Sequence, residues 1–372
     1  MAHVPQLFAG VMSGTSLDGV DAVVVDFAPA DGKLCALRGA AHLPFEPALR
    51  AELLALQTTG PDELVRVARA GNALADVYST ALSAACRDGG VIAADVTGAG
   101  VHGQTVRHRP EEGWTWQINN PSRVAEKAGM TVVADFRSRD IAAGGQGAPL
   151  VPAFHAALFG SADEHRVIVN LGGIANITDL PPGGEVRGFD TGPGNVLLDL
   201  WCARHQGTPF DANGAWAATG TPDAVVLRTL SDEPFFALLP PKSTGRDLFN
   251  AAWLDERLAA MHWHGRAEDM QATLTALTAL AVAAAIAAHA PGATTMLVAG
   301  GGARNGTLLR MLQTARPAMQ VATTDTMGVA SDHVEALAFA WLARETLAGR
   351  PGNLPAVTGA GGLRVLGACY PR

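Results

Sequence analysis

One short run of the chain carries an aspartate in a setting that suits catalysis. Asp190 lies in Gly188-Phe-Asp-Thr-Gly-Pro-Gly-Asn195, a loop that the pattern places at a strand end. The glycines let the backbone approach a ligand closely, and Pro193 stiffens the loop. A carboxylate there can act as a general base toward water, but aspartate also favours turns and helix caps. The run by itself leaves both roles open.

Glycine-bearing turns occur at two corresponding places, one in each half of the chain. The first is Ser13-Gly-Thr-Ser-Leu-Asp-Gly19, and the second is Asn170-Leu-Gly-Gly173. Backbone N–H groups exposed in such turns bind phosphate oxygens without a side-chain clash. A third apolar strand ends in Gly300-Gly-Gly302, which suits the underside of an adenosine. The three turns predict ATP contacts from Gly14, Thr15, Ser16, Leu17, Asp18, Gly19, Val20, Asp21, Gly172, Gly173, Gly300, Gly301 and Gly302.

Two side chains of the first turn are also candidates for binding a cation. Asp18 and Asp21 could hold a hydrated Mg²⁺, which typically keeps several waters and takes one or two carboxylates. We assign Asp18 as the magnesium ligand.

Other nucleotide-binding, hydrolase and zinc motifs are either absent or lack the surrounding sequence that they require. The P-loop pattern is absent, because the pair Gly32-Lys33 is followed by leucine. Gly98, Gly100 and Gly103 match GxGxxG, but the following residues lead into a proline and make a poor helix start. The chain has no Gly-x-Ser-x-Gly, and its paired histidines have no third ligand at a spacing typical of zinc.

Composition and charge narrow the class of protein. The chain has 372 residues, which suggests two domains around one cleft. Net charge is −8, from 27 basic against 35 acidic residues, and this argues against a nucleic-acid or anionic membrane partner because both need a basic footprint. The four cysteines are scattered without a CxxC pair, as expected of reduced thiols.

Two segments bear on location. Met1–Gly10 lacks the basic region and long apolar run of a signal peptide. Leu274–Ala288 is the longest apolar stretch, but it is short of the ~20 residues that a bilayer demands, which favours a buried interdomain helix. The expected location is the cytoplasm.

The order of predicted elements indicates an α/β protein with a coarse duplication. The strand–turn–strand plan of Leu7–Phe27 recurs at Arg166–Asp179, with helices around both. The expected domains are residues 1–134 and 135–372, and the final segment can pack back on the first domain.

Several longer motifs, spread from end to end, resemble one family. The chain is similar to the anhydro-N-acetylmuramic acid kinases, within the superfamily of actin, heat-shock chaperone ATPases and sugar kinases. The resemblance is carried by Gly10–Asp21, His102-Gly-Gln-Thr105, Ala134–Arg137, Arg139–His155, Gly188–Asn195, Pro241-Lys-Ser-Thr-Gly-Arg246, Ala299–Asn305 and Leu354–Ala360.

The resemblance implies a fold and a reaction. The fold is the two-domain actin-like ATPase (ribonuclease H-like) fold, with mixed sheets flanked by helices and ATP in the interdomain cleft. The reaction uses ATP and Mg²⁺ to open the anhydro ring of 1,6-anhydro-N-acetylmuramic acid with water and to phosphorylate the 6-oxygen. The product is N-acetylmuramic acid 6-phosphate, in the recycling of cell-wall peptidoglycan. A homodimer is also expected from the family.

The resemblance further implies residue roles. It favours Asp190 as the base, and the second hairpin supports this because Asn170 stands where related ATPases usually have an aspartate. Arg137 and Arg139 could instead form a surface ion pair with Asp140, and Glu335 could be a helix first-turn glutamate. The implied substrate contacts are His102, Gln104, Arg137, Arg139, Gly192, Asn195 and Glu335.

Two alternatives stay open from the residues. The same fold could serve a kinase for another amino sugar or hexose, with a different pocket. It could also serve a filament-forming or chaperone ATPase, although the chain is too short to add a peptide-binding domain.

The base assignment makes a direct prediction. Asp190→Asn should abolish turnover, because an amide cannot take a proton from water, while ATP binding stays largely intact. Steady-state turnover and calorimetric ATP binding measure the two effects. Equal activity in the variant would remove Asp190 from the base role.

Overall fold

The computed structural model describes residues 5–14, 17–29 and 35–372, which form two compact units. Unit 1 extends to Leu158 and includes His333–Arg372, whereas unit 2 is Phe159–Asp332. The strands are β1 Leu7–Met12, β2 Gly19–Asp26, β3 Ala36–Pro44, β4 Gly98–Val101, β5 Gln104–Arg109, β6 Trp114–Ile118, β7 Val132–Ala134, β8 Arg166–Leu171, β9 Ile174–Leu180, β10 Arg187–Pro193, β11 Thr295–Ala299, β12 Gln320–Thr323 and β13 Ala368–Tyr370. The helices are α1 Pro47–Ala55, α2 Glu63–Asp88, α3 Pro121–Ala128, α4 Ser138–Ala142, α5 Val151–Phe159, α6 Val196–Gln206, α7 Ala224–Ser231, α8 Pro234–Ala237, α9 Ala251–Ala260, α10 Ala267–His289, α11 Gly306–Ala315, α12 Val334–Leu347 and α13 Pro355–Thr358.

The sheet of unit 1 has the strand order β13-β7-β4-β1-β2-β3. β1 and β2 form an antiparallel hairpin, and β1 pairs with β4 in parallel. Their apolar residues are almost all buried, because α2 and α12 both pack on these strands. A run of β-branched and apolar residues without polar alternation is what a strand covered on both faces requires.

The sheet of unit 2 has the order β10-β9-β8-β11-β12. β8 and β9 form the antiparallel hairpin, and β11 pairs in parallel with β8 and with β12. The five strands therefore repeat the order β7-β4-β1-β2-β3 of unit 1, read from the other end. The duplication expected from the two hairpins is present as two sheets of one topology.

The domain boundary differs from the one expected after residue 134. Residues 135–158 lie in unit 1, where Asp140 is fully buried. Its carboxylate accepts hydrogen bonds from Gly147 N, Asn353 Nδ2 and Thr358 Oγ1, each 2.8 Å long. These bonds tie two distant segments to one core, which sequence order does not reveal.

The C-terminal segment also completes the sheet of unit 1. Strand β13 pairs antiparallel with β7 through Cys369 and Val133, so the final residues lie in the first unit.

Helix α10 is the apolar segment noted in the sequence. It is long and apolar enough to cross a membrane, but 61% of that apolar window is buried. Several of its buried side chains, including Leu274, Leu277, Val282 and Ile286, belong to two apolar clusters of unit 2. The expectation of an interdomain helix is therefore replaced by a core helix of unit 2, because β9, β10, α6, α7 and α11 surround it.

Two glycines permit α12 to approach the sheet of unit 1. A Cβ at Gly10 would lie 1.9 Å from the carbonyl oxygen of Ala336, and one at Gly100 would lie 2.0 Å from that of Phe339. Such distances are impossible for real atoms, so the helix backbone can rest on β1 and β4 only because both residues lack a side chain.

This contact predicts a large stability difference between two similar substitutions. Gly10→Ala should lower the free energy of unfolding by about 1–3 kcal/mol or more, because the helix must move away from the strand. Urea unfolding followed by circular dichroism measures it. Gly60→Ala is the control, since only the flexible end of Arg66 lies within 4 Å of its Cβ. Equal midpoints for the two variants would contradict this account of the packing.

Candidate active site

The first glycine turn is anchored on both sides of Thr15 and Ser16, which lie outside the described residues. The Gly14 carbonyl accepts bonds from Leu17 N at 3.3 Å and from Gln104 Nε2 at 3.2 Å. Leu17 has a φ of 54° and a fully buried side chain, and its carbonyl accepts from Arg50 Nε at 2.9 Å. The turn is thus held by the core beneath it.

Of the residues that follow this turn, some have buried side chains and others have exposed ones. Val20 is fully buried, and a Cβ at Gly19 would lie 2.5 Å from the Leu43 carbonyl oxygen. Asp18 is exposed, and Asp21 bonds His42 Nδ1 at 2.9 Å across the β2–β3 pair. The side chains of Leu17 and Val20 therefore serve the core, so only their backbone is available to a nucleotide, whereas Asp18 offers a carboxylate.

A buried histidine and an arginine form one unit beside β4. Arg137 Nη2 and Nε lie 2.8 and 3.2 Å from His102 Nε2, and Nη1 donates to the Gly147 carbonyl at 2.8 Å. Arginine only donates, so Nε2 accepts and the imidazole proton is on Nδ1. Burial, then the charge of Arg137, holds the pKa of His102 well below its usual value. His102 is consequently neutral at physiological pH.

Glu335 interacts electrostatically with Arg137. It lies in the first turn of α12, where burial and the charges of Asp21 and Asp18 raise its pKa, and Arg137 lowers it. Burial lowers the pKa of Arg137 to about 10, against the opposing charge of Glu335. Unit 1 thus joins His102 and Arg137 by hydrogen bonds and couples Arg137 to Glu335 by charge, while Gln104 bonds the first glycine turn. Arg139 is exposed on α4, and its expected partner Asp140 is buried among neutral donors, so the surface ion pair considered between them is wrong.

In unit 2, Asp190 lies on β10 next to a bulge between Asp190 and Gly192. Its Oδ2 accepts from Ser243 Oγ at 2.9 Å and from Thr244 N at 3.0 Å, and its backbone N donates to the Lys242 carbonyl at 3.1 Å. Burial raises the pKa of Asp190, and the two donors oppose that rise. The Asp190 carboxylate is therefore held by hydrogen bonds from a loop about fifty residues later in the sequence.

That loop is the part of the site that the sequence left undecided. The sequence Lys242-Ser-Thr244 is compatible with either a phosphate-binding turn or a polar turn, and nothing in its spacing indicates contact with Asp190. The only available signal was that the run Pro241–Arg246 belongs to the motifs shared with the resembled family.

The two residues predicted after Asp190 have clear structural positions. Gly192 has a φ of 144°, and a Cβ there would lie 2.6 Å from the Phe236 ring. Asn195 Nδ2 donates to the Leu171 carbonyl, and Asn195 N to the Gly172 carbonyl, both at 2.8 Å. Asn195 therefore connects the Asp190 run to the second glycine turn.

The glycines of unit 2 fall into two groups. Gly300 and Gly302 are required by packing. A Cβ at Gly300 would lie 2.5 Å from Asn170 Oδ1, and one at Gly302 would lie 2.5 Å from Leu171 Cβ. At Gly172, Gly173 and Gly301, the nearest atoms to a Cβ would be 3.5, 4.0 and 3.9 Å away. Protein packing does not demand these three glycines, so their open surroundings fit the close approach of a phosphate or nucleoside.

Two sheets of the same order, each with a glycine turn between its hairpin strands, are the arrangement expected of the actin-like ATPase fold. The sequence model described as anhydro-N-acetylmuramic acid kinase matches residues 6–372. Enzymes of that name from Paraburkholderia xenovorans and Bordetella petrii are 55% and 56% identical over 371 and 370 residues. These alignments cover 98% of this chain in both cases, and 98% and 96% of the relatives. The chain belongs to the anhydro-N-acetylmuramic acid kinase family.

Solved structures resemble the chain more distantly. The ROK family glucokinase from Streptomyces griseus, in complex with glucose and AMPPNP, has a TM-score of 0.41 and 15% identity, covering 91% of this chain and 99% of that one. The family assignment rests on the sequence match alone.

The environment of Asp190 predicts a pH dependence. A base acts only when ionised, so kcat/KM should fall as pH drops through its pKa. Because burial raises that pKa, the acid limb should lie above the value of about 3.9 typical of a free aspartate. A pH–rate profile in a constant-ionic-strength buffer measures it, and a limb at or below the free value would contradict the burial of an active carboxylate.

Proposed function

We propose that this protein converts 1,6-anhydro-N-acetylmuramic acid, water and ATP into N-acetylmuramic acid 6-phosphate and ADP. Family membership over nearly the whole chain supports the substrate and the reaction. The observation that carries the proposal is the partly buried Asp190 carboxylate, which has a raised pKa and is held by two donors beside the bulge in β10.

The reaction needs a base because water must attack the anomeric carbon. The water oxygen bonds to that carbon, the bond from the carbon to O6 breaks, and Asp190 takes the water proton. O6 then bonds to the γ-phosphorus, and the bond from that phosphorus to the ADP oxygen breaks. Raised basicity favours the first step, since a carboxylate with a higher pKa is a stronger base.

Unit 2 supplies three open glycines for the nucleotide. Gly172, Gly173 and Gly301 have room for a ligand at their Cα atoms, while Gly300 and Gly302 shape the turn by packing. In unit 1 the turn around Gly14 and Leu17 would bind phosphate through its backbone, with Thr15 and Ser16 as hydroxyl donors.

The carboxylate beside the first turn suits a magnesium ion. Asp18 is exposed there, and Mg²⁺ typically combines one or two carboxylates with water and substrate phosphates. When bound, Mg²⁺ would neutralise charge on the transferred phosphoryl group.

Several polar groups suit recognition of the sugar. Arg137 can offer its remaining N–H donors to the lactyl carboxylate, because His102 and Gly147 use only part of its guanidinium. Glu335 and Gln104 can bond sugar hydroxyl or amide groups, and Gly192 and Asn195 shape the backbone that follows Asp190. Arg139 keeps an exposed position from which it could meet the same carboxylate.

The proposal also covers the setting of the enzyme. We place it in the cytoplasm as a homodimer, with no nucleic-acid or membrane partner. The acidic net charge of −8 and the scattered cysteines are consistent with that setting.

Isotope labelling tests the proposed reaction. After incubation with the anhydro sugar, ATP, Mg²⁺ and ¹⁸O-water, mass spectrometry should show a 6-phosphorylated sugar carrying ¹⁸O at the anomeric carbon. Asp190→Asn and a sample without ATP are the controls. A phosphorylated product without ¹⁸O, or phosphorylation only of other hexoses or amino sugars, would point to an ordinary sugar kinase on this fold.

A further inference from the structure

The loop Pro241–Arg246 meets Asp190 at three points within unit 2. The Lys242 carbonyl accepts from Asp190 N, Ser243 Oγ donates to Oδ2 at 2.9 Å, and Thr244 N donates to Oδ2 at 3.0 Å. Both hydrogen bonds to the Asp190 carboxylate end on Oδ2. Among the described residues, none donates to Oδ1. The two carboxylate oxygens of Asp190 are therefore in different surroundings.

We propose that this loop selects the reacting oxygen of Asp190, with Ser243 and Thr244 holding Oδ2 so that the water proton goes to Oδ1. The proposal rests on the proposed function, in which Asp190 is the base. Ser243 and Thr244 are positioning residues, since they act through Asp190.

The selection follows from what a backbone N–H can do. The Thr244 N–H only donates, so it needs an acceptor at Oδ2 both before and after proton transfer. If the proton went to Oδ2, the new O–H would face this N–H and one bond would be lost. A proton on Oδ1 leaves Oδ2 as the carbonyl oxygen of the acid, and both donors keep their bonds.

The same donors limit how strongly Asp190 holds a proton. Burial raises the pKa of the carboxylate, and hydrogen bonds to the ionised form lower it. A base needs a pKa high enough for proton transfer, yet low enough that it is ionised at the working pH. The loop thus balances the burial that makes Asp190 a better base.

Lys242 fastens the loop that carries these donors. Its Nζ donates to the carbonyls of Phe235 and Phe236 at 3.2 and 3.1 Å and lies 4.7 Å from the centroid of the Phe235 ring. The Phe236 ring in turn occupies the space that a Cβ at Gly192 would need. Helix α8, the loop and β10 are consequently joined around Asp190.

The test is the acid limb of kcat/KM in Ser243→Ala. Losing the hydroxyl should move that limb upward by about one pH unit, the size expected when a hydrogen bond to a charged group is removed. Ser243→Thr keeps a hydroxyl and should restore the limb. Ser231→Ala is the matched control, because it removes an exposed serine hydroxyl that donates to the Leu227 carbonyl and not to Asp190, and its limb should stay in place. Ser243 is exposed, so a merely structural turn would change at most the melting temperature.

A second measurement separates this inference from the proposed reaction. ¹³C NMR of proteins labelled at the aspartate carboxyl carbon reports the titration of Asp190 without any substrate, with Asp190→Asn to assign the signal. An upward shift in Ser243→Ala supports the loop's role even if the anhydro sugar is not turned over. An unmoved titration in an enzyme that does form the ¹⁸O-labelled product would overturn it and leave the proposed function intact.

Discussion

A carboxylate that is partly withdrawn from water loses hydration, and the surrounding protein must replace part of it. At Asp190 the replacement comes from Ser243 and Thr244, which donate to one oxygen only. Burial raises the pKa of Asp190 and the two donors oppose that rise, so the two effects together would set its strength as the proposed base. Three features hold the Asp190 carboxylate in this environment. They are the bulge in β10, the glycine at residue 192 and the lysine that fastens the loop.

The two units contain sheets of the same topology. Both units place an antiparallel hairpin at one side of a mixed sheet and add parallel strands on the other. In both, the turn of the hairpin carries glycine, but the two turns are supported differently. In unit 1 the buried Leu17 side chain and Gln104 hold the turn, whereas in unit 2 Asn195 bonds the carbonyls of Leu171 and Gly172.

Glycine serves three separate purposes in this chain. Gly10 and Gly100 allow a helix backbone to rest on a strand, and Gly302 allows the end of β11 to pack on Leu171. Gly172 and Gly173 have open surroundings that packing does not explain. A sequence shows all of these as the same letter, and only the distance to neighbouring atoms separates a packing glycine from one that leaves room for a ligand.

The sequence by itself determined the family, the α/β class, the two hairpins and the identity of Asp190 as the candidate base, because these depend on local patterns and contiguous motifs. Only the tertiary structure decided the domain boundary, since the buried Asp140 bonds residues more than two hundred positions away. It also decided that α10 belongs to the core of unit 2 and that Leu17 and Val20 point into the core of unit 1. The contact of Ser243 and Thr244 with Asp190 was decided in the same way. Each of these features depends on which distant segments pack against one another. The free energy of burying and hydrogen-bonding such segments cannot be inferred from the spacing of residues along the chain.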